Sequence, residues 1–94
     1  MPSAIPVRHS AAANRFEAEA DGRMAVTEYV TTDGARVFTH TFVPAEWRGR
    51  GVADALVRAA LSDARARNLR VVARCSYVAE FIRRNPEFQP LVEE

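Results

Sequence analysis

The feature of this sequence that most constrains its fold is a short arginine- and glycine-rich loop that runs directly into an amphipathic helix. The segment reads Trp47-Arg48-Gly49-Arg50-Gly51-Val52-Ala53-Asp54-Ala55-Leu56. Glycine permits the tight turns and the close backbone approach that a bound ligand requires. The first turn of the helix adds unpaired N–H groups and the positive end of the helix dipole. These features together predict a binding site for a pyrophosphate group.

Two common phosphate-binding loops do not fit these residues. A P-loop requires a lysine after its second glycine, and the chain contains no lysine. A dinucleotide-binding fingerprint anchored on Gly49 and Gly51 requires glycine or alanine at position 54, where the chain has Asp54. That fingerprint also requires a parallel β-α-β unit, whereas the residues before the loop predict hairpins. The pyrophosphate site must therefore belong to another kind of fold.

Composition limits the classes of protein to which the chain can belong. With 94 residues, 48% of them hydrophobic, it predicts one small globular domain. A net charge of +1 argues against a dedicated nucleic-acid binder. The single cysteine excludes an internal disulfide and favours a reducing compartment, so we expect a cytoplasmic protein. No apolar run approaches about 20 residues, so we expect no membrane span.

Hydrophobic periodicity predicts the order β-β-β-α-β-α, an α/β (α+β) fold. We expect residues 1–13 to form a flexible N-terminus and residues 14–94 to form a single domain. Alternation predicts strands over residues 15–20, 24–31 and 36–43, joined by Asp-Gly turns into an antiparallel meander. In the third strand, Phe38, His40 and Phe42 are predicted to share one face.

The helix after Gly51 has an apolar stripe at helical spacing. Its expected i,i+4 pairs join Asp54 to Arg58 and Asp63 to Arg67, and Asn68 is a plausible left-handed cap. Residues 69–75 then predict the last strand. Ser76 is predicted to cap a short second helix that Pro86 ends, with Phe88 and Leu91 folding back onto the core.

A ligand of an open sheet binds where neighbouring strands diverge at their carboxyl ends. The third strand, the loop and the long helix would form one side of such a crevice. The last strand, which ends at Cys75, would form the other. The order of elements therefore predicts that the phosphate loop and the only thiol lie near one cleft.

Three segments resemble those of one known family. Arg48, Gly51 and Ala53 match the pattern Arg/Gln-x-x-Gly-x-Gly/Ala of the GNAT superfamily of acyl-CoA-dependent N-acetyltransferases. Cys75-Ser76-Tyr77 is similar to the Cys-x-Tyr/Phe motif that ends the last strand in short GNAT-like proteins. Their closing helix resembles residues 81–88, and the likeness covers roughly residues 14–92. One departure is Ala73, which stands where these proteins often have a proline.

The resemblance implies a GNAT-like core that binds acetyl-CoA (coenzyme A) in a V-shaped gap between strands. Backbone N–H groups of the loop would hold the pyrophosphate, and Arg48 and Arg50 would add charge-assisted contacts. Arg58, two turns into the helix, is a weaker candidate for such a contact. The implied cofactor-binding residues are Val43, Arg48, Gly49, Arg50, Gly51, Val52 and Ala53.

Four side chains are candidates for the chemistry of acetyl transfer. Cys75 precedes a predicted helix N-terminus, which favours the thiolate and would make it a nucleophile; the alternative is a buried structural cysteine. The resemblance implies that Tyr77 protonates the departing CoA, although it could also be a packed aromatic residue. His40 titrates near neutral pH and is a candidate base, or else a core histidine. Glu28 is either a buried base or a residue at the sheet edge.

The sequence leaves three functions open. The first is an N-acetyltransferase that acts on an amine of a small molecule or a protein, as a monomer or a weak homodimer. The second is a CoA-binding module or sensor without transfer activity, which would need the loop but not Cys75 or Tyr77. The third is a nucleic-acid patch formed by Arg65, Arg67, Arg70 and Arg74, which the balanced charge and the few aromatic residues disfavour.

Overall fold

The fold is one five-stranded sheet with two helices, described here for residues 5–92 from a computed structural model. Four strands form an antiparallel meander: β1 (Val7–Ser10), β2 (Arg15–Ala20), β3 (Arg23–Thr32) and β4 (Ala35–Phe42). Helix α1 (Val52–Ala66) leads to β5 (Arg70–Ala73), which pairs parallel to β4. Helix α2 (Ser76–Arg84) follows, and short 3₁₀ helices span Ala45–Trp47 and Pro86–Leu91. The predicted meander, long helix, last strand and short helix are all present.

The N-terminal strand β1 is absent from the sequence-based prediction. Val7–Ser10 pair antiparallel with β2, so the expectation of a flexible segment through residue 13 is wrong there. Side-chain contacts add to the backbone pairing of β1. The His9 ring stacks on Phe16 with 4.1 Å between ring centroids. The His9 Nε2 atom also lies 2.5 Å from the Tyr29 hydroxyl. Residues 1–4 of the predicted flexible segment lie outside the described residues.

Strand β4 contains a β-bulge at Thr39. Glu28 pairs with His40 and Tyr29 pairs with Phe38, so Thr39 is an extra residue on β4. A bulge reverses the alternation of side chains across the sheet. Phe38 is therefore fully buried, whereas His40 is exposed.

The prediction that Phe38, His40 and Phe42 share one face is consequently wrong. Phe42 has 46% of its surface exposed, although alternation with Phe38 would have buried it. Thr41 instead lies on the side of the core, where its Oγ1 atom is 2.9 Å from that of the buried Thr27. Alternation in the sequence cannot reveal the inserted residue, because Thr39, His40 and Thr41 are all polar and no apolar side chain marks the register there.

A gap opens between β4 and β5 just beyond this bulge. The parallel pairing ends at Phe38 and Ala73. The backbone N–H groups of Arg74 and Cys75 both donate to the Phe38 carbonyl, each at 3.0 Å. Strand β4 then continues to Phe42 while the chain after β5 turns into α2. The two strands therefore diverge at their carboxyl ends, as the order of elements predicts.

Both helices contribute to a single hydrophobic core. Leu56, Val57 and Leu61 of α1 are fully buried, as is Val78 of α2, and all belong to the same cluster as Phe38. The predicted return of Phe88 and Leu91 to this core is confirmed. None of the helices described is long and apolar enough to cross a membrane.

Local details at the helix ends agree only partly with prediction. Asn68 adopts the predicted left-handed conformation, with φ 58°. The residue that caps α2 is Cys75 and not Ser76, and its side chain makes no capping hydrogen bond. Helix α2 ends at Arg84, and Pro86 begins the following 3₁₀ helix.

Of the two predicted i,i+4 pairs, one is present. Asp63 and Arg67 form an ion pair of 2.8 Å. Asp54 instead contacts Tyr77 and Arg84 of α2, and Arg58 contacts Asn85 and Glu87. Tertiary contacts of this kind outweigh the few tenths of a kcal/mol that a helical ion pair contributes.

A buried arginine ties β4 to α1. The Arg36 guanidinium lies 4.2 Å from the centre of the Tyr29 ring and donates to the Ala60 carbonyl and to Asp63 Oδ2, at 3.3 and 2.9 Å. Burial alone would raise the pKa of Asp63, but the hydrogen bonds from Arg36 and Arg67 hold it below its usual value. Removal of one partner of a buried pair leaves an uncompensated charge, which is strongly destabilising.

We therefore expect Asp63→Asn to lower the free energy of unfolding by about 2 kcal/mol at pH 7. Since the pKa of Asp63 is lower in the folded state, this contribution is complete above the unfolded value of about 3.9 and is lost as the pH falls through the folded value. Urea denaturation at pH 7 and at pH 3 measures the effect. Arg67→Ala, which removes only the exposed partner, is the control and should cost less than about 1 kcal/mol. An equal loss for both variants would contradict the assignment to Arg36.

Candidate functional site

A cavity, called here the main cavity, lies where the strand gap, the arginine- and glycine-rich loop and the two helices meet. Its volume is about 580 Å³, within the range of small-molecule sites. The end of β4, the loop, the first turn of α1 and one face of α2 form its walls. The lining residues are Thr41, Phe42, Val43, Trp47, Arg48, Gly49, Gly51, Val52, Ala53, Asp54, Tyr77 and Arg84.

The loop presents backbone N–H groups to this cavity. Gly49 and Gly51 have φ values of 81° and 79°, in the left-handed region that favours glycine. Gly51 is the cap residue of α1, and its carbonyl accepts the first bond of the helix, from Ala55 at 3.0 Å. The N–H groups of the first helical turn have no partner within the helix. The wall formed by these residues is therefore suited to an anion.

The three candidate arginines occupy different places. Arg48 lines the cavity, and its Nε atom donates to the Val43 carbonyl at 3.3 Å. Arg50 lines a second, smaller cavity of about 270 Å³, which shares Trp47 and Val52 with the first. Arg58 is bound to Asn85 and Glu87, at 3.0 and 3.2 Å. Of the three, only Arg48 lines the main cavity.

Sequence reasoning did not identify Arg84 as a site residue. It lies seven residues after Tyr77, two turns along the same face of α2, and both side chains line the cavity. The seven-residue spacing between Tyr77 and Arg84 was the signal in the sequence that could have identified Arg84. It becomes informative only when α2 is known to face the loop.

Tyr77 and Asp54 are hydrogen bonded across the cavity wall. The Tyr77 hydroxyl donates to Asp54 Oδ1, and the Arg84 Nη2 atom lies 3.5 Å from the same oxygen. Burial, together with the hydrogen bond and the charge of Asp54, raises the pKa of Tyr77 to about 12. The hydroxyl is therefore fully protonated at neutral pH.

Cys75 is buried next to the cavity but is not one of its lining residues. Its Sγ atom lies 3.4 Å from Thr41 Oγ1, and Thr41 does line the cavity. The thiol is thus one hydrogen bond behind the wall, at the point where β4 and β5 diverge. The predicted proximity of the loop and the thiol agrees with this arrangement.

His40 and Glu28 lie elsewhere. They are opposite each other on neighbouring strands, and His40 directly follows the bulge at Thr39 that reverses the faces of β4. His40 is exposed and Glu28 is half-buried, and neither lines the cavity. The structure therefore brings Tyr77 and the loop together, places Cys75 behind them and leaves His40 outside.

Comparisons with known proteins identify the family. Residues 15–91 match the model of the GCN5-related N-acetyltransferases. The chain is 34% identical over 88 residues to Protein NATD1 of Bos taurus, and 32% identical over 88 residues to that of Homo sapiens; each match covers 87% of this chain and 75% of the relative.

A solved structure supports the same assignment. The solution structure of a GCN5-like protein from Staphylococcus aureus superposes with a TM-score of 0.76 at 25% identity, over 95% of this chain and 88% of that one. The fold and the sequence thus agree with the resemblance found in the loop and in the Cys75-Ser76-Tyr77 motif. The chain belongs to the family of GCN5-related N-acetyltransferases.

Proposed function

We propose that this protein binds acetyl-CoA and transfers the acetyl group to an amine. The observation that carries the proposal is the cavity itself. It joins an anion-binding loop at one end to a gap between strands at the other, and one wall is the end of strand β4. An elongated ligand with phosphates at one end and a thioester at the other matches that arrangement.

The residues around the cavity suit the chemical groups of this donor. The N–H groups of the loop and of the first turn of α1 would bind the pyrophosphate, and Arg48 would add a positive charge. Beyond Phe38, β4 pairs with β3 on one side and diverges from β5 on the other. A strand edge of this kind offers backbone groups to an extended amide chain, and the pantetheine arm of CoA is such a chain.

Two routes of transfer are compatible with this site. In the direct route, the amine attacks the thioester carbonyl and the CoA thiolate leaves with a proton. In the covalent route, the Cys75 sulfur attacks first, its thiol proton passes to the departing sulfur, a new thioester forms on Cys75, and CoA leaves as the thiol. The amine then attacks the acetyl-cysteine, and the Cys75 thiol is regenerated. The hydrogen bond between Thr41 and Cys75 supports the second route, because it connects the sulfur to the cavity wall.

A CoA-binding module without transfer activity is the second candidate. The loop and Arg48 serve both functions equally. What favours an enzyme is Tyr77, because a hydroxyl that is bonded to a carboxylate is of no use in binding phosphates. We propose no acceptor more specific than an amine, on a small molecule or on a protein, and a monomer or weak homodimer as the active form.

The first prediction concerns the loop. Gly51→Asp should abolish acetyl-CoA binding measured by calorimetry, because it places a carboxylate where the pyrophosphate is expected and strains a left-handed residue by about 1–2 kcal/mol. Gly34→Asp is a matched control, since Gly34 has a φ of 76° and lies in the turn between β3 and β4. That variant carries the same strain and charge and should bind normally. If both variants bind like the wild type, the loop does not hold the phosphates.

The second prediction concerns the thiol. Incubation with acetyl-CoA in the absence of an amine should add the mass of one acetyl group to the wild-type protein and none to Cys75→Ala. The variant should still bind acetyl-CoA, because Cys75 does not line the cavity. Full transfer activity in Cys75→Ala would rule out the covalent route and leave the direct one. Loss of transfer with binding intact is the result that a purely CoA-binding module cannot give.

A further inference from the structure

Among residues 5–92, Asp54 is the one carboxylate that lines the main cavity. It lies in the first turn of α1 and accepts a hydrogen bond from the Tyr77 hydroxyl, across the contact between α1 and α2. Arg84 of α2 approaches the same Asp54 oxygen at 3.5 Å. An exposed acidic residue in the first turn of a helix needs no such partner, since the helix dipole already stabilises it. The hydrogen bond between the two residues therefore affects the Tyr77 hydroxyl more than it affects Asp54.

The effect on Tyr77 follows from the number of protons that its hydroxyl can donate. A tyrosine hydroxyl has one proton to donate, while its oxygen retains lone pairs that accept hydrogen bonds. In this structure the proton is directed to Asp54. As long as that bond is intact, Tyr77 offers a molecule in the cavity an acceptor and not a donor. A tyrosine that simply protonates the departing sulfur would need the opposite arrangement.

We propose that Asp54 is a positioning residue for Tyr77, and that the two side chains together carry one proton from the attacking amine to the departing CoA sulfur. The proposal rests on the acetyl-transfer function proposed above and deepens it. It assigns Asp54 a role within the cavity, where the family resemblance points only to the tyrosine.

The proton transfers balance without any other reactant. As the amine attacks the acetyl carbonyl, its N–H bond breaks and a new O–H bond forms on Tyr77. The original Tyr77 proton moves at the same time to Asp54 Oδ1, which becomes a neutral carboxyl group. When the C–S bond breaks, Asp54 returns its proton to Tyr77, and Tyr77 passes a proton to the sulfur. One proton has moved from nitrogen to sulfur, and both side chains are restored.

The charges around the pair fit this role. Arg84 is the cation next to Asp54, and it is also 3.8 Å from Glu80 on its own helix. Arg48 lines the same cavity on the side of the loop. The positive charge of Arg84 therefore lies next to the Asp54 oxygen that accepts the Tyr77 hydrogen bond. Burial and the bond to Asp54 raise the pKa of Tyr77 to about 12, so the tyrosine does not lose its proton on its own.

The first arm of the test measures the tyrosine directly, by ¹³C NMR of the ring carbon that bears the hydroxyl. The chain has two tyrosines, and Tyr77→Phe assigns the signals. In the wild type, the Tyr77 signal should remain that of the protonated form up to about pH 11. In Asp54→Asn its midpoint should fall measurably towards the ordinary value of about 10, because the hydrogen bond and the charge of Asp54 are lost while burial remains. The Tyr29 signal serves as the internal reference.

Glu80→Gln is the matched control for the loss of a carboxylate near Arg84. Glu80 contacts Arg84 and Arg83 but makes no bond to Tyr77, and it does not line the cavity. The control should leave the Tyr77 titration and acetyl-CoA binding unchanged. If Asp54→Asn leaves the Tyr77 titration unchanged, or if Glu80→Gln shifts it equally, the positioning role of Asp54 is overturned.

The second arm measures release of the CoA thiol from acetyl-CoA with two probe amines. Ethanolamine is much more basic than hydroxylamine, so after attack on the acetyl carbonyl its N–H proton is less acidic and depends more on a proton acceptor in the site. Asp54→Asn should slow the reaction of ethanolamine by about 100-fold, the lower end for acid–base catalysis, and that of hydroxylamine much less. Equal losses with both amines would refute the proton relay. If the wild type releases no thiol with either amine, the proposed function fails. The NMR titration still tests, independently of activity, whether Asp54 contacts Tyr77.

Discussion

The divergence of β4 from β5 is the constraint on which the site depends. Parallel pairing stops at Phe38 and Ala73, next to the extra residue Thr39 on β4. Two successive N–H groups, from Arg74 and Cys75, share the Phe38 carbonyl, and this pulls the chain after β5 away from the end of β4. Without that separation the two strands would pair over their full length and no gap would exist. Bulges recur next to active sites because they end pairing and redirect side chains at little cost.

The same bulge decides which side chains reach the cavity. It brings Thr41 to the side of the core, where Thr41 contacts Cys75 and lines the cavity. It directs His40 to the other side of the sheet, next to Glu28. One inserted residue thus places Thr41 at the cavity and His40 outside it. This placement follows from backbone geometry and not from the acidity of the side chains.

The helix that carries the loop is fixed to the sheet by charge as well as by packing. Arg36 reaches from β4 to the Ala60 carbonyl and to Asp63, beneath the Tyr29 ring. Contacts of this kind hold the direction of α1, and hence the direction of its N-terminal N–H groups. The opposite end of α1 meets α2 through Asp54 and Tyr77. The cavity is therefore bounded by a helix that is anchored at two points along its length.

The sequence predicts those parts of the molecule that depend on local patterns. The loop, α1 and the Asp-Gly turns follow from residues close together in the chain, and the structure has them where they are predicted. Strand β1 is too short for alternation to reveal it, and its partners Phe16 and Tyr29 are distant in sequence. The bulge at Thr39 leaves no trace in the hydrophobic pattern.

Long-range contacts explain the remaining differences in the site. The expected pair of Asp54 with Arg58 is replaced by contacts with α2, which only the packing of the two helices can establish. Arg50 belongs to the loop, yet it lines the smaller cavity, which also includes Trp47. Spacing within a motif therefore predicts the position of the backbone better than the direction of a long side chain.

The most direct test of the account is to map acetyl-CoA binding by amide NMR on the isotope-labelled protein. Saturating acetyl-CoA should shift the amide signals of the cavity wall, from Thr41 through Asp54 and at Tyr77, and leave those of β1 and β2 nearly unchanged. That pattern would place the ligand in the gap between β4 and β5 and across the loop. Shifts confined to other surfaces, or none at millimolar ligand, would contradict the claim that this gap and this loop form the cofactor site.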